Sequence, residues 1–170
     1  MTEVTIDTGA LAGTNITAKN GTAIQFFGSI PYAAPPVGDL RWRAPQPAEA
    51  WEGVRDATGF GASCPQLVVS KGGFREAISN ALGTPAPEEV ELTYDEDCLY
   101  LNVFTPTTAS DAKLPVLFWV HGGAHRFGTS TNMPGEELAS RGVVLVSINY
   151  RLGPLGFMSH PELTAEGCRG

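Results

Sequence analysis

Four consecutive residues, His121 to Ala124, follow directly on an apolar run and are of the types that could bind an oxyanion. The run Leu-Pro-Val-Leu-Phe-Trp-Val at 114–120 predicts a buried strand. Gly122 and Gly123 permit turn dihedrals closed to other residues and let a substrate approach the backbone. Adjacent N–H groups on such a turn can point at the charged oxygen of a tetrahedral intermediate without reorganising. From the two glycines alone, an ordinary turn at a strand end is the alternative interpretation.

A nucleophile to use such a turn is not found in the 170 residues, because no Gly-x-Ser-x-Gly elbow occurs. The nearest approaches are residues 128–132, which lack the second glycine, and residues 138–142, which lack the first. If the turn binds an oxyanion, the sequence therefore contains only one of the two parts that such a hydrolase site would need.

The histidines do not indicate a metal centre. His121 and His125 have the i, i+4 separation of a zinc-binding helix, but two glycines stand between them and no glutamate follows His121. No metal or organic cofactor is predicted.

Composition narrows the class of protein. A chain of 170 residues with 42% hydrophobic content can bury one core, so one globular domain is expected. The net charge of -7 and the lack of a basic block argue against a nucleic-acid partner. No apolar stretch approaches the ~20 residues of a membrane span, and the first residues do not resemble a signal peptide, so we expect a cytoplasmic protein. The three cysteines, Cys64, Cys98 and Cys168, are too few for a disulfide scaffold, although one pair could form.

The first 30 residues predict an antiparallel meander. Residues 4–7 and 10–17 alternate apolar and polar side chains, and Asn20-Gly21 separates the second run from the apolar residues 23–27. Asn-Gly between two such runs is a strong hairpin signal.

Residues 28–47 contain five prolines and predict an ordered surface loop. Residues 65–93 have the character of an insertion, within which residues 74–82 show helical spacing and Gly83 is placed to cap a short helix.

The later part of the chain predicts strands at 99–104, 115–120 and 143–149, the last two covered on both faces. A short helix between them is indicated by Pro134 near its start and Gly142 just past its end. A strand–helix–strand unit of this length joins parallel strands, so the fold class is α/β.

Several blocks are specific enough to indicate a family. Glu-Asp-Cys-Leu-Tyr-Leu-Asn-Val at 96–103 resembles the signature octapeptide of type-B carboxylesterases, the α/β-hydrolases that include para-nitrobenzyl esterases, carboxylesterases and cholinesterases. Further blocks match in order and spacing, at residues 28–38, 40–42, 63–66, 121–124 and 149–157.

The resemblance implies the N-terminal part of an α/β-hydrolase fold, in which the meander leads into a mixed, largely parallel sheet. Residues 1–170 would be a truncated N-terminal portion of one such domain. The complete protein would hydrolyse small carboxylic esters through an acyl-serine intermediate. Gly123 and Ala124 would donate the oxyanion-hole N–H groups, while His121 and Gly122 shape the turn. The family's catalytic serine, acidic residue and histidine would follow Gly170, so the chain alone should not be catalytically competent.

The resemblance also implies two pairings, a disulfide between Cys64 and Cys98 and an ion pair between Arg41 and Glu96. Two residues depart from the family pattern. Ala124 replaces a third glycine, and His125 stands where an aromatic residue is usual.

Two alternatives remain open from the sequence. One is a non-enzymatic binding or adhesion module of the same fold. The other is one half of a split esterase that a second, C-terminal chain completes.

Overall fold

One mixed sheet organises the chain in the computed structural model, which describes residues 1–67, 74–83 and 91–166. Cys168 and parts of the predicted insertion lie outside these ranges. The strands are β1 (Thr2–Ile6), β2 (Gly9–Thr17), β3 (Ala23–Pro31), β4 (Val54–Asp56), β5 (Tyr100–Thr105), β6 (Val116–Val120) and β7 (Val144–Ile148). The helices are α1 (Phe74–Leu82), α2 (Gly135–Ala139), α3 (Gly153–Phe157) and α4 (Pro161–Ala165), with short 3-10 turns at Gly38–Leu40 and Ser130–Asn132.

The strand order is β1-β2-β3-β5-β7-β6, and β4 pairs with β2. The predicted N-terminal meander is confirmed, since β1, β2 and β3 pair antiparallel in succession. The sheet is mixed as expected, but its parallel part within the described residues is confined to the pairs β2–β4 and β6–β7. The pairs β3–β5 and β5–β7 are antiparallel.

The Asn20-Gly21 hairpin forms with a longer loop than its dipeptide signal indicates. Thr17 pairs with Ala23, so residues 18–22 make the connection. Within it Gly21 has φ +85° while Asn20 does not take a positive φ. Hydrogen bonds from Ala18 N to Thr22 O and from Gly21 N to Ala18 O close the loop in place of a two-residue turn.

The proline-rich segment begins as a strand rather than as a loop. β3 continues to Pro31, which pairs with Tyr100, after an irregularity between Phe27 and Ile30. A proline has no N–H to donate and is therefore tolerated at the end of a strand, and the next residue, Tyr32, still donates to Leu99 O.

The crossover from β6 through α2 to β7 is confirmed, and β6 and β7 are parallel. Gly142 ends the helical segment with φ +86°, and its N–H donates to Ala139 O. α2 covers one face of the sheet, where buried Ala139 packs with Leu145 and Phe104. At Gly135 an added Cβ would lie 2.4 Å from the Phe104 ring, so glycine lets the helix start close to the sheet.

The prediction that the 115–120 strand is covered on both faces is wrong for the described residues. β6 lies at the end of the strand order, and its Val116, Leu117, Phe118 and Val120 side chains are exposed. The apolar run indicates burial, but among the described residues only Trp119 of this strand packs, partly buried, against the cluster under α2.

Among the described helices, none is both long and apolar enough to cross a lipid bilayer.

Candidate oxyanion site

The segment after β6 forms a tight turn of unusual backbone conformation. Gly123, Ala124 and His125 have φ values of +123°, +53° and +59°. The Gly123 carbonyl accepts hydrogen bonds from Arg126 N at 3.0 Å and from Phe127 N at 3.2 Å, which fold the chain back on itself. Three successive residues therefore have a positive φ, which is rare for residues other than glycine.

Gly123 is required for this conformation, whereas Gly122 is not crowded. A Cβ on Gly123 would lie 1.7 Å from the Phe127 carbonyl oxygen, while one on Gly122 would meet open space among the described residues. The two glycines that the sequence singled out therefore differ. Gly123 closes the turn, and Gly122 leaves an accessible stretch of backbone beside it.

The N–H groups of Gly123 and Ala124 make no hydrogen bond with any described residue. Backbone donors away from strands and helices normally find a partner when water is excluded. At this position they lie at the carboxyl end of β6, the edge at which open α/β sheets bind ligands.

The buried ring of His121 contacts the first residues of the turn. It is 4% exposed, its ring stacks on Tyr150 with centroids 4.4 Å apart, and its Nδ1 lies 2.9 Å from Gly122 O. Burial lowers the pKa of His121, and the bond to Gly122 O opposes this only in part. The neutral ring therefore carries its proton on Nδ1, because a carbonyl oxygen only accepts, and Nε2 is left without a partner among the described residues.

Gln66 anchors the far end of the turn, a role that the sequence did not reveal. Its Oε1 accepts from Gly128 N at 2.6 Å, and its Nε2 donates to Gly128 O at 2.9 Å. Gly128 has φ +129°, and a Cβ there would lie 2.3 Å from His121 Nδ1. The signal available was its place in the Ser-Cys-Pro-Gln block, which shows relatedness but gives no role.

A buried polar network fixes the segment that follows. Asn102 Nδ2 donates to Ser130 Oγ at 2.9 Å and to Ser147 Oγ at 3.2 Å, while Asn149 Oδ1 accepts from Ser130 N at 2.8 Å. Asn149 Nδ2 also donates to Ala62 O at 3.0 Å. Both asparagines fall in the matched blocks. Because each amide has donors and an acceptor, the two side chains join β5 and the end of β7 to the 3-10 turn at Ser130–Asn132.

Arg41 and Glu96 form a bidentate ion pair, the pairing that the resemblance implied. Arg41 Nε lies 2.6 Å from Glu96 Oε2, and Nη2 lies 2.8 Å from Oε1. Both side chains are partly exposed. The pair ties the loop after β3 to the segment that leads into β5.

Cys64 and Cys98 are both buried in one cluster with Ala33, Leu99 and Leu152, as free thiols. A hydrogen bond from the Cys98 thiol is the main reason that the pKa of Cys64 lies below its usual value. The same bond, together with burial, raises the pKa of Cys98. The two sulfurs are therefore neighbours, and the disulfide stays a prediction.

His125 connects the turn to α3 through two contacts. Its ring stacks on Phe157 with centroids 4.3 Å apart, and its carbonyl accepts from Gly153 N at 2.6 Å. His125 thus meets an aromatic neighbour at the position where the resemblance implied an aromatic residue.

Comparison with known proteins decides the family, because a model of the carboxylesterase family matches residues 1–170. The chain belongs to the carboxylesterase family. It is 42% identical to the para-nitrobenzyl esterase of Bacillus subtilis over 91% of this chain and 28% of that protein. It is 43% identical to fumonisin B1 esterase of Sphingopyxis macrogoltabida over 86% of this chain and 25% of that protein. The precursor of a medium-chain fatty acyl-CoA hydrolase from Anas platyrhynchos is 40% identical over 99% of this chain and 30% of its own length.

The chain thus spans between a quarter and a third of the length of these family members. The candidate site within the matched region is the turn after β6, which His121, Tyr150 and Gln66 contact.

Proposed function

We propose that this chain supplies the oxyanion hole of a carboxylic ester hydrolase that acts through an acyl-serine intermediate. The observation that carries the proposal is the pair of N–H groups on Gly123 and Ala124, which lack a partner among the described residues at the carboxyl end of a parallel strand. His121 and Gly122 shape the turn through the Nδ1 to Gly122 O contact.

The chemistry follows from where charge develops. When a nucleophile attacks an ester carbonyl, the oxygen becomes an oxyanion, and two preoriented N–H donors stabilise it more than the neutral carbonyl. A backbone held by Gln66 and by the His121–Tyr150 stack reorganises little during this step. The substrate is a small-molecule carboxylic ester, in keeping with relatives named as esterases of para-nitrobenzyl compounds and of fumonisin B1.

The nucleophile comes from outside these 170 residues, since no Gly-x-Ser-x-Gly occurs in them. The chain is one portion of a single α/β-hydrolase domain, and a Ser–Glu/Asp–His triad on additional polypeptide completes the site. No cofactor takes part.

The test removes one donor from a completed enzyme. A chimera joins residues 1–166 of this chain to the part of Bacillus subtilis para-nitrobenzyl esterase that follows its match. Proline at position 124 would not isolate the N–H, because its ring cannot adopt the φ of +53° found there. Instead, Ala124 is replaced with L-lactic acid by protein ligation, which exchanges the N–H for an ester oxygen.

We expect kcat on p-nitrophenyl esters to fall by ~10²–10³ with a smaller change in KM, the usual cost of losing one oxyanion contact. The same lactic-acid replacement at Ala50, an exposed residue before β4, is the matched control and should leave kcat near the parent value. Equal effects at the two positions, or none at 124, would show that the turn is only structural.

A further inference from the structure

Arg126 lies in the candidate oxyanion turn, and its side chain has no partner among the described residues. Its backbone is held in place, because the Arg126 and Phe127 N–H groups both donate to Gly123 O. The side chain is exposed, and it makes no ion pair, hydrogen bond or ring contact with the part of the chain that the structure describes. Two residues of chain span at most ~7 Å, so a cation lies beside the Ala124 donor without a protein group to neutralise it.

Most other arginines whose side chains the structure describes are bound to protein groups. Arginines with an ion pair, a ring contact or a hydrogen bond to a carbonyl are Arg41, Arg43, Arg55 and Arg151. Arg141, which follows α2, resembles Arg126 in being exposed and without such a contact. The two differ in their surroundings, since Arg126 alone adjoins the oxyanion donors.

The segments that form the turn or hydrogen-bond to it contain no acidic residue. They are residues 57–67, 112–135 and 149–161. The whole chain has 18 acidic against 11 basic residues, so the lack of carboxylates sets these segments apart. Glu96 and Glu166 add little negative charge to the region, because each is paired with its own arginine. The candidate site is thus locally positive in a chain whose net charge is -7.

A guanidinium group is suited to one kind of ligand. Its planar fork of donors matches a carboxylate through two parallel hydrogen bonds, which are stronger than bonds between neutral groups. A locally positive region in an acidic protein also attracts an anion that the rest of the surface repels.

We propose that Arg126 binds a free carboxylate of the ester substrate, and that the preferred substrates are half-esters of dicarboxylic acids. The assignment rests on the proposed function, because the Gly123 and Ala124 donors are what place the ester carbonyl beside Arg126. The carbonyl oxygen and the acyl chain are bonded to the same carbon atom. A short acyl chain therefore brings its terminal carboxylate from the donors to the guanidinium.

This role differs kinetically from that of the oxyanion donors. The carboxylate carries the same charge in the ground state and in the transition state, so its contact with Arg126 should act on KM more than on kcat. The donors act on charge that develops during the reaction and should therefore act on kcat.

The first test compares two esters of equal size that differ in charge. The chimera described above is assayed with monomethyl glutarate and with its neutral amide analogue, methyl glutaramate, by proton release at constant pH. We expect Arg126→Gln to raise KM for monomethyl glutarate by about 10-fold and to affect the neutral ester much less. Arg126→Lys keeps the charge without the fork and should lose less. Arg141→Gln is the matched control and should keep the parent's preference.

The second test measures binding without turnover. Both esters are titrated into the isotopically labelled 170-residue chain, and the amide resonances of Gly123, Ala124 and Arg126 are followed by NMR. The charged ester should bind more tightly than the neutral one, and high salt should reduce this difference. Arg126→Gln should abolish the difference.

Two results would overturn the proposal. One is an equal rise in KM for both esters in the Arg126→Gln chimera. The other is a parent chain that binds the two esters equally or whose preference survives Arg126→Gln. If the chimera hydrolyses neither ester while the chain still binds the charged one through Arg126, the proposed function is wrong and the carboxylate site is supported.

Discussion

The ring of His121 stacks on Tyr150 at a centroid separation of 4.4 Å, and the Tyr150 hydroxyl donates back to the His121 carbonyl at 2.7 Å. Two residues 29 positions apart are thus joined by a ring stack and a hydrogen bond, which connect the end of β6 to the segment after β7. These two contacts fix the first residue of the candidate oxyanion turn from both its side chain and its backbone.

Burial of the His121 ring makes stability depend on pH. The pKa of His121 is lower in the folded chain than in the unfolded one, because burial disfavours the charged ring. The unfolded state therefore binds more protons as the pH falls below about 6.5, the ordinary histidine value. The stability present above that pH should be lost progressively as the pH falls toward the folded-state pKa.

Urea unfolding of the parent chain and of His121→Asn between pH 7.5 and pH 5 should show a steeper loss of stability for the parent. Asparagine retains a donor near Gly122 O but does not titrate. His160→Asn, at an exposed position, is the control and should keep the parent's slope. If the stability of the parent and of His121→Asn fell equally with pH, the lowered pKa of His121 would be contradicted.

Ala124→Gly should stabilise the chain. A non-glycine residue in the left-handed region costs about 1 kcal/mol or more, and Ala124 has φ +53°. Glycine keeps the N–H and removes that strain, so we expect a gain of about 0.5–1 kcal/mol in the free energy of unfolding after the entropy cost of glycine. Ala109→Gly, at an exposed position without a positive φ, should instead destabilise, and a loss of stability at both positions would contradict the conformation of the turn.

Cys64 and Cys98 should oxidise to one intramolecular disulfide in the Cys168→Ser background. The bridge would close a loop of about 35 residues and stabilise the chain by ~3.8 kcal/mol in the loop-entropy model. Thiol titration in denaturant should find no free thiol after mild oxidation, and the unfolding midpoint should rise. Two free thiols remaining after oxidation, with Cys98→Ser as the reference for one thiol, would exclude the bridge.

The Arg41–Glu96 pair should couple the two segments that it joins. Arg41→Gln and Glu96→Gln should each lower the unfolding midpoint, and the double variant should cost less than their sum because the partners share the interaction. Since both side chains are partly exposed, high salt should reduce the coupling. Additive effects at low salt would mean that the bidentate geometry contributes nothing.

The isolated chain should hydrolyse no activated ester above background. No serine in the described part of the chain hydrogen-bonds to a histidine, and an unactivated hydroxyl is a poor nucleophile. Saturable turnover of a p-nitrophenyl ester that a serine-directed phosphonate abolishes would show that a nucleophile exists within the chain.

Local patterns predicted the elements but not their surroundings. The alternation in residues 10–17 and the β-branched run at 144–148 were enough to define β2 and β7, because period and propensity act over a few residues. The length of the 18–22 loop and the extension of β3 to Pro31 depend on pairing with distant strands, which no local signal contains.

The sequence predicted the turn of the candidate site, but it did not predict the distant residues that contact this turn. Gly123 was identifiable because only glycine fits a φ of +123° against the Phe127 carbonyl. Gln66 and Tyr150 approach the turn from distant parts of the chain, and their types are common in unrelated roles. The exposure of Phe118 was likewise not predictable, since an apolar run indicates that a strand needs to be covered and does not say which elements cover it.

A structure of the completed chimera with a trifluoromethyl ketone bound to its serine would test the central claim most directly. The adduct mimics the tetrahedral intermediate and places a charged oxygen where the donors must lie. We predict that this oxygen lies ~2.7–3.1 Å from both the Gly123 and the Ala124 nitrogens, with the positive φ values of the turn retained. An adduct oxygen bound elsewhere, with both N–H groups directed to protein carbonyls, would contradict the account.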